Sequence, residues 1–116
     1  MRILSVRSCE KMVFDALYGY LQGLRNVGVP PPLVMMLTLE GVYGALCAGN
    51  DRLLDRRRPV IEHRDLFLPE CFINEYGADI DYQRAMKPAF DALWNAAGYP
   101  SAPTFSDDGQ WTGKLR

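Results

Sequence analysis

A chain of 116 residues, 48% hydrophobic and 23% charged, has enough apolar material for a folded core and lies far from the composition of disordered segments. It needs neither metal nor disulfides to fold. Its net charge of −1 lacks the excess that non-specific nucleic-acid binding draws on. The balance is uneven, however. Residues 1–58 carry 8 basic and 5 acidic side chains, and residues 59–116 carry 5 basic and 9 acidic. Cys9, Cys47 and Cys71 are odd in number and widely spaced, which excludes a zinc ribbon or CxxC redox pair. With no export-type leader in Met1–Arg7, a reducing cytoplasm is the expected compartment.

Taken in chain order, the first predicted helix covers about Cys9 to Asn26, with Ser8 as N-cap and Glu10 in the first turn. Val13, Leu17, Tyr20, Leu21 and Leu24 recur on one face, and Asn26 and Gly28 supply the stop. After the stiff linker 27–32, a second helix is expected from Pro32 to Ala48, apolar nearly all round. It is too short to span a bilayer, so no membrane segment is expected. Small residues four apart, Gly19 and Gly23 on the first helix and Gly41 and Ala45 on the second, predict a tight helix hairpin.

Pro59 ends a short amphipathic turn, and residues 60–76 read as an extended connection with at most one short strand. A third helix is expected between Asp81 and Ala97, capped by Asp79 or Asp81. Pro88 either kinks it or opens a new helix. Gly98 and Pro100 close it, and Asp108-Gly109 between aromatic-bearing runs marks a C-terminal β-hairpin. The expected fold is therefore a mainly α, small helical bundle with that hairpin attached, all within a single domain, residues 1–116.

The chemistry is sparse. His63 is the sole histidine, and no nucleophile elbow, phosphate loop or zinc-protease motif is present. Glu62, His63, Asp65 and Glu70 lack the ligand set a zinc site uses. No catalytic residue, metal site or cofactor is expected. Arg52, Arg56, Arg57 and Arg58 place four guanidinium groups in seven residues, and Arg64 follows. Such groups suit phosphate, but the nearby acids Glu62, Asp65 and Glu70 can pair with them. A helix-turn-helix is excluded by the apolar second segment. The surplus of apolar residues in 33–48, with Trp111 and the tyrosines, favours a protein interface. The leading reading is thus a non-catalytic binding protein, an adaptor or inhibitor, whose partner is another protein or a further copy of this chain. The alternative is a nucleic-acid-associated regulator. The candidate binding residues are Arg52, Arg56, Arg57, Arg58, Arg64 and Trp111.

Overall fold

A computed structural model describes residues 3–48 and 61–115. Strand β1 (Ile3–Ser5) leads directly into helix α1 (Val6–Asn26). The helix begins three residues earlier than expected, because Ser5 rather than Ser8 caps it. The Ser5 hydroxyl accepts the Ser8 N–H at 3.4 Å. Val6, Glu10, Phe14, Leu17 and Leu21 form its buried stripe, spaced three and four apart. Gly28, at φ +82°, turns the chain away from the helix axis.

The second expected helix is absent, and with it the helical bundle. Residues 33–48 are extended instead, forming β2 (Leu33–Met35), β3 (Thr38–Leu39) and β4 (Leu46–Ala48). Burial alternates residue by residue from Pro31 to Glu40, which is the period of a strand. Gly41 at φ +67° and Gly44 at φ +78° occupy a conformation that no helix contains. They are turn glycines, not small residues that let two helices approach. Gly19 and Gly23 face open space on α1, since an added Cβ would meet nothing within 4 Å.

The chain returns through β5 (Leu66–Phe67) and β6 (Cys71–Ile73), where one strand at most was expected. β3 pairs antiparallel with β5 and β2 with β6, while β1 and β4 form a separate parallel pair. Helix α2 (Asp79–Ala96) runs unbroken through Pro88. At its start the Asp81 carboxylate accepts the Ala78 N–H at 2.8 Å. The expected C-terminal β-hairpin reduces to one bridge, Phe105 to Trp111, around a turn where Gly109 takes φ +87°.

The core forms where the two helices, β6 and the C-terminal segment meet. α2 contributes Tyr82, Met86, Ala89, Phe90, Leu93 and Trp94. Phe14 is the hub of an aromatic cluster, with ring centroids 5.1 Å from Phe90, 5.2 Å from Trp111 and 6.2 Å from Phe105. Among the described residues, no helix is long and apolar enough to cross a membrane.

Phe90, with no exposed surface, is expected to cost about 3–5 kcal/mol when replaced by alanine, as read in a urea melt. Gly19→Ala and Gly23→Ala should each stabilise the chain by up to about 1 kcal/mol, because alanine relieves the helix-propensity penalty without a clash. A loss of stability in either glycine variant would contradict the open space around them.

Candidate functional site

The two antiparallel ladders form one ribbon, and a single extra residue shapes its outer face. Thr38 stands opposite Phe67, and the Leu68 N–H donates to the Leu37 carbonyl at 3.0 Å. Further along, Met35 stands opposite Cys71 and Val34 opposite Phe72. From Leu37 to Met35 is two steps, whereas from Leu68 to Cys71 is three. The returning strand therefore carries a one-residue bulge at Pro69–Glu70. Proline suits that place because it has no N–H to offer a ladder.

The bulge reverses which side chains point outward. Without it, Phe67 and Phe72, five positions apart, would lie on opposite faces. With it, both lie outside, where cross-strand pairing sets Phe67 beside Thr38 and Phe72 beside Val34. Met36 lies between them. The exposures are 76% for Phe67, 54% for Phe72, 73% for Met36 and 48% for Val34. The inner face presents Leu33, Met35, Cys71 and Ile73, which join the core. No outward position of the ribbon from Val34 to Thr38, nor Phe67 or Phe72, is charged, and the exposed Glu70 of the bulge borders them. Contiguous apolar surface of this kind marks contact sites in proteins.

A cleft of about 560 Å³ opens between β6 and the start of α2. Three of its polar side chains are engaged in holding the fold. Asp81 holds the Ala78 N–H, the Tyr82 hydroxyl accepts the Gly77 N–H, and Arg84 Nε donates to the Asp108 carbonyl. Among the described residues, no three His, Cys, Asp or Glu side chains are grouped to hold a metal ion.

The residues singled out from sequence are dispersed. Arg52, Arg56, Arg57 and Arg58 lie outside the described residues. Arg64 is exposed, and its carbonyl accepts the Val42 N–H at 2.9 Å. Asp65, one of the acids expected to neutralise the arginines, accepts the Gly41 N–H at 3.1 Å. Trp111 is half-buried against Phe14, and its backbone N–H donates to Gln83 Oε1 at 2.9 Å. It packs against the core cluster.

Glu10, read from sequence as a first-turn charge, is wholly buried in the second turn of α1. Its carboxylate accepts Trp94 Nε1–H at 3.0 Å and the Thr104 hydroxyl at 2.8 and 2.9 Å. Trp111 Nε1 is also buried; it has no hydrogen bond of good geometry, yet it lies close enough to favour the carboxylate's charge. Burial raises the Glu10 carboxyl above the ordinary range, against the opposing pull of Trp94, Thr104, Trp111 and the Arg7 charge. The native state thus holds the Glu10 proton more tightly than the unfolded chain. Its contribution to stability is full below the ordinary carboxylate range and is lost as pH rises through the raised folded value. Urea melts from acid to neutral pH should show this decline, and Glu10→Gln should flatten it. Glu10→Ala strands the Trp94 and Thr104 donors at about 1–3 kcal/mol each, so it should be the less stable variant. Equal pH profiles for Glu10→Gln and the parent would refute this assignment.

Comparison with known protein families, with curated proteins and with solved structures gives no match.

Proposed function

We propose that this chain is a non-catalytic protein-binding domain that docks a protein partner on the outer face of the ribbon formed by residues 33–39 and 66–73. The observation that carries this reading is the pairing of Phe67 and Phe72 on one solvent-facing surface with Met36 and Val34. Burying a large apolar side chain from water is favourable by about 1.5–3 kcal/mol, and aromatic residues and methionine are enriched where proteins meet. A fold that holds these side chains in water has given up that energy in the isolated chain, and an occupant recovers it.

The two described thiols support the non-catalytic part. Burial raises Cys9, helped by the neighbouring Glu10 charge, and burial likewise raises Cys71. Both are therefore protonated at neutral pH, and a thiol is a poor nucleophile compared with its thiolate. His63 sits on an exposed connection.

Capture from a native lysate tests the reading, with the parent chain, a Phe67→Ser variant and a variant replacing Arg56, Arg57 and Arg58 by alanine. Protein capture should survive nuclease and 0.5 M salt, where charges are screened beyond roughly 4 Å. It should fall at least tenfold in Phe67→Ser and persist in the arginine variant. Capture abolished by nuclease or by loss of the arginines, with Phe67→Ser unaffected, would replace this reading with nucleic-acid association.

A further inference from the structure

We infer that the occupant of the ribbon's outer face is a second copy of this chain, stacked face to face about a twofold axis through Met36. This rests on the outer face being the contact surface, and it names what covers that surface.

Three observations favour a second copy. The first is charge. Val34, Met36, Thr38, Phe67 and Phe72 present no ionised group, and the exposed Glu70 of the bulge, across from Met36, is the charge that borders them, so a partner recognised by charge complementarity has little on this face to pair with. An apolar face is its own complement. The second is the arrangement along the ribbon. Phe72 with Val34 lies at one end, Phe67 with Thr38 at the other, and Met36 stands between the two ladders. A twofold axis through the middle carries the Phe67 end of one ribbon onto the Phe72 end of the other, as an isologous contact requires. The ends lie about 13 Å apart along the strands. Met36 then meets its own counterpart, and an unbranched thioether adapts to that meeting.

The third is area. At the exposures above, the two phenylalanines, Met36 and Val34 offer roughly 500 Å² per copy, given aromatic surfaces of about 150–250 Å² each. Doubled, this reaches the approximately 1,000 Å² at which a biological interface begins. The area thus fits an association that is reversible and concentration-dependent. The same stacking gives the ribbon the layer it lacks. A two-stranded ribbon is marginal alone, and packed sheets sit about 10 Å apart with interleaved side chains.

Sedimentation equilibrium from low micromolar to several hundred micromolar chain provides the test. The parent should move from the mass of one chain to that of two as concentration rises. Met36→Lys and Met36→Glu should each remain at one chain, because the twofold axis sets like charges against each other. Their equimolar mixture should return to two chains, an outcome that loss of folding in either variant could not produce. Met12→Lys, on an exposed position of α1, should associate as the parent does. Three results would overturn the inference: a parent that stays monomeric throughout, a dimer indifferent to both Met36 variants, or a mixture that fails to recover while each variant keeps its helical circular dichroism. A monomeric parent with Phe67-dependent capture from lysate would remove the second copy alone and leave the docking face standing. Capture indifferent to Phe67 would remove both.

Discussion

A carboxylate withdrawn from water must be met by donors at the moment the chain closes over it. Glu10 lies on the one face of α1 that enters the core, and the donors that meet it come from Trp94 and Thr104, 84 and 94 residues further on. The end of α2 and the C-terminal segment are therefore both bound to the second turn of the first helix. Phe14, one turn beyond Glu10, receives Phe90, Phe105 and Trp111 as a consequence of the same approach. Other ties follow the same path. Asp91 accepts the Ala102 N–H, and Gln83 links the Tyr18 hydroxyl to the Trp111 backbone. The polar and aromatic contacts reinforce one another, since the rings exclude the water that would otherwise weaken the hydrogen bonds.

The ribbon is built on a different rule. It is held from one side only, by β6 packing against α2, and its strands are too short to support themselves. A sheet that covers a core on one face normally turns polar side chains to solvent on the other. Here the outer positions, Thr38 apart, are phenylalanine, methionine and valine, and that departure from the usual alternation separates a contact surface from an ordinary solvated one.

The same departure explains why the ribbon was hard to read from residues alone. Alternation is visible only when the two faces differ in chemistry. In 33–39 both faces are apolar apart from Thr38, so the stretch resembled a buried helix. The signals against a helix were its brackets, three prolines before it and Gly41 and Gly44 after it, which act through backbone conformation rather than hydropathy. The first and last helices were legible because Leu17, Leu21, Met86, Phe90 and Leu93 recur at helical spacing beside polar neighbours. The turn at Asp108-Gly109 was legible too, although the strands it should join shrink to one bridge. Glu10 was hidden by its type, for nothing local distinguishes a glutamate destined for burial from one destined for solvent. The outward pairing of Phe67 and Phe72 was hidden by an odd separation that only a bulge can reconcile.

That bulge gives the segment an unusual relation to inherited change. Short insertions and deletions are ordinarily tolerated in surface connections, where the backbone can absorb them. Between Leu68 and Cys71 the loss of one codon would bring the two ladders into a common register and send alternate side chains to the wrong side. Either the interior would receive Phe72 in place of Cys71 and Ile73, or Phe67 would exchange places with Leu68. Point changes at Pro69 or Glu70 alter composition alone, whereas a change in their number turns part of the ribbon inside out. Descendants of this chain can thus vary freely in which residues occupy the bulge, while the count of residues across it is held by the core on one face and by the exposed aromatics on the other.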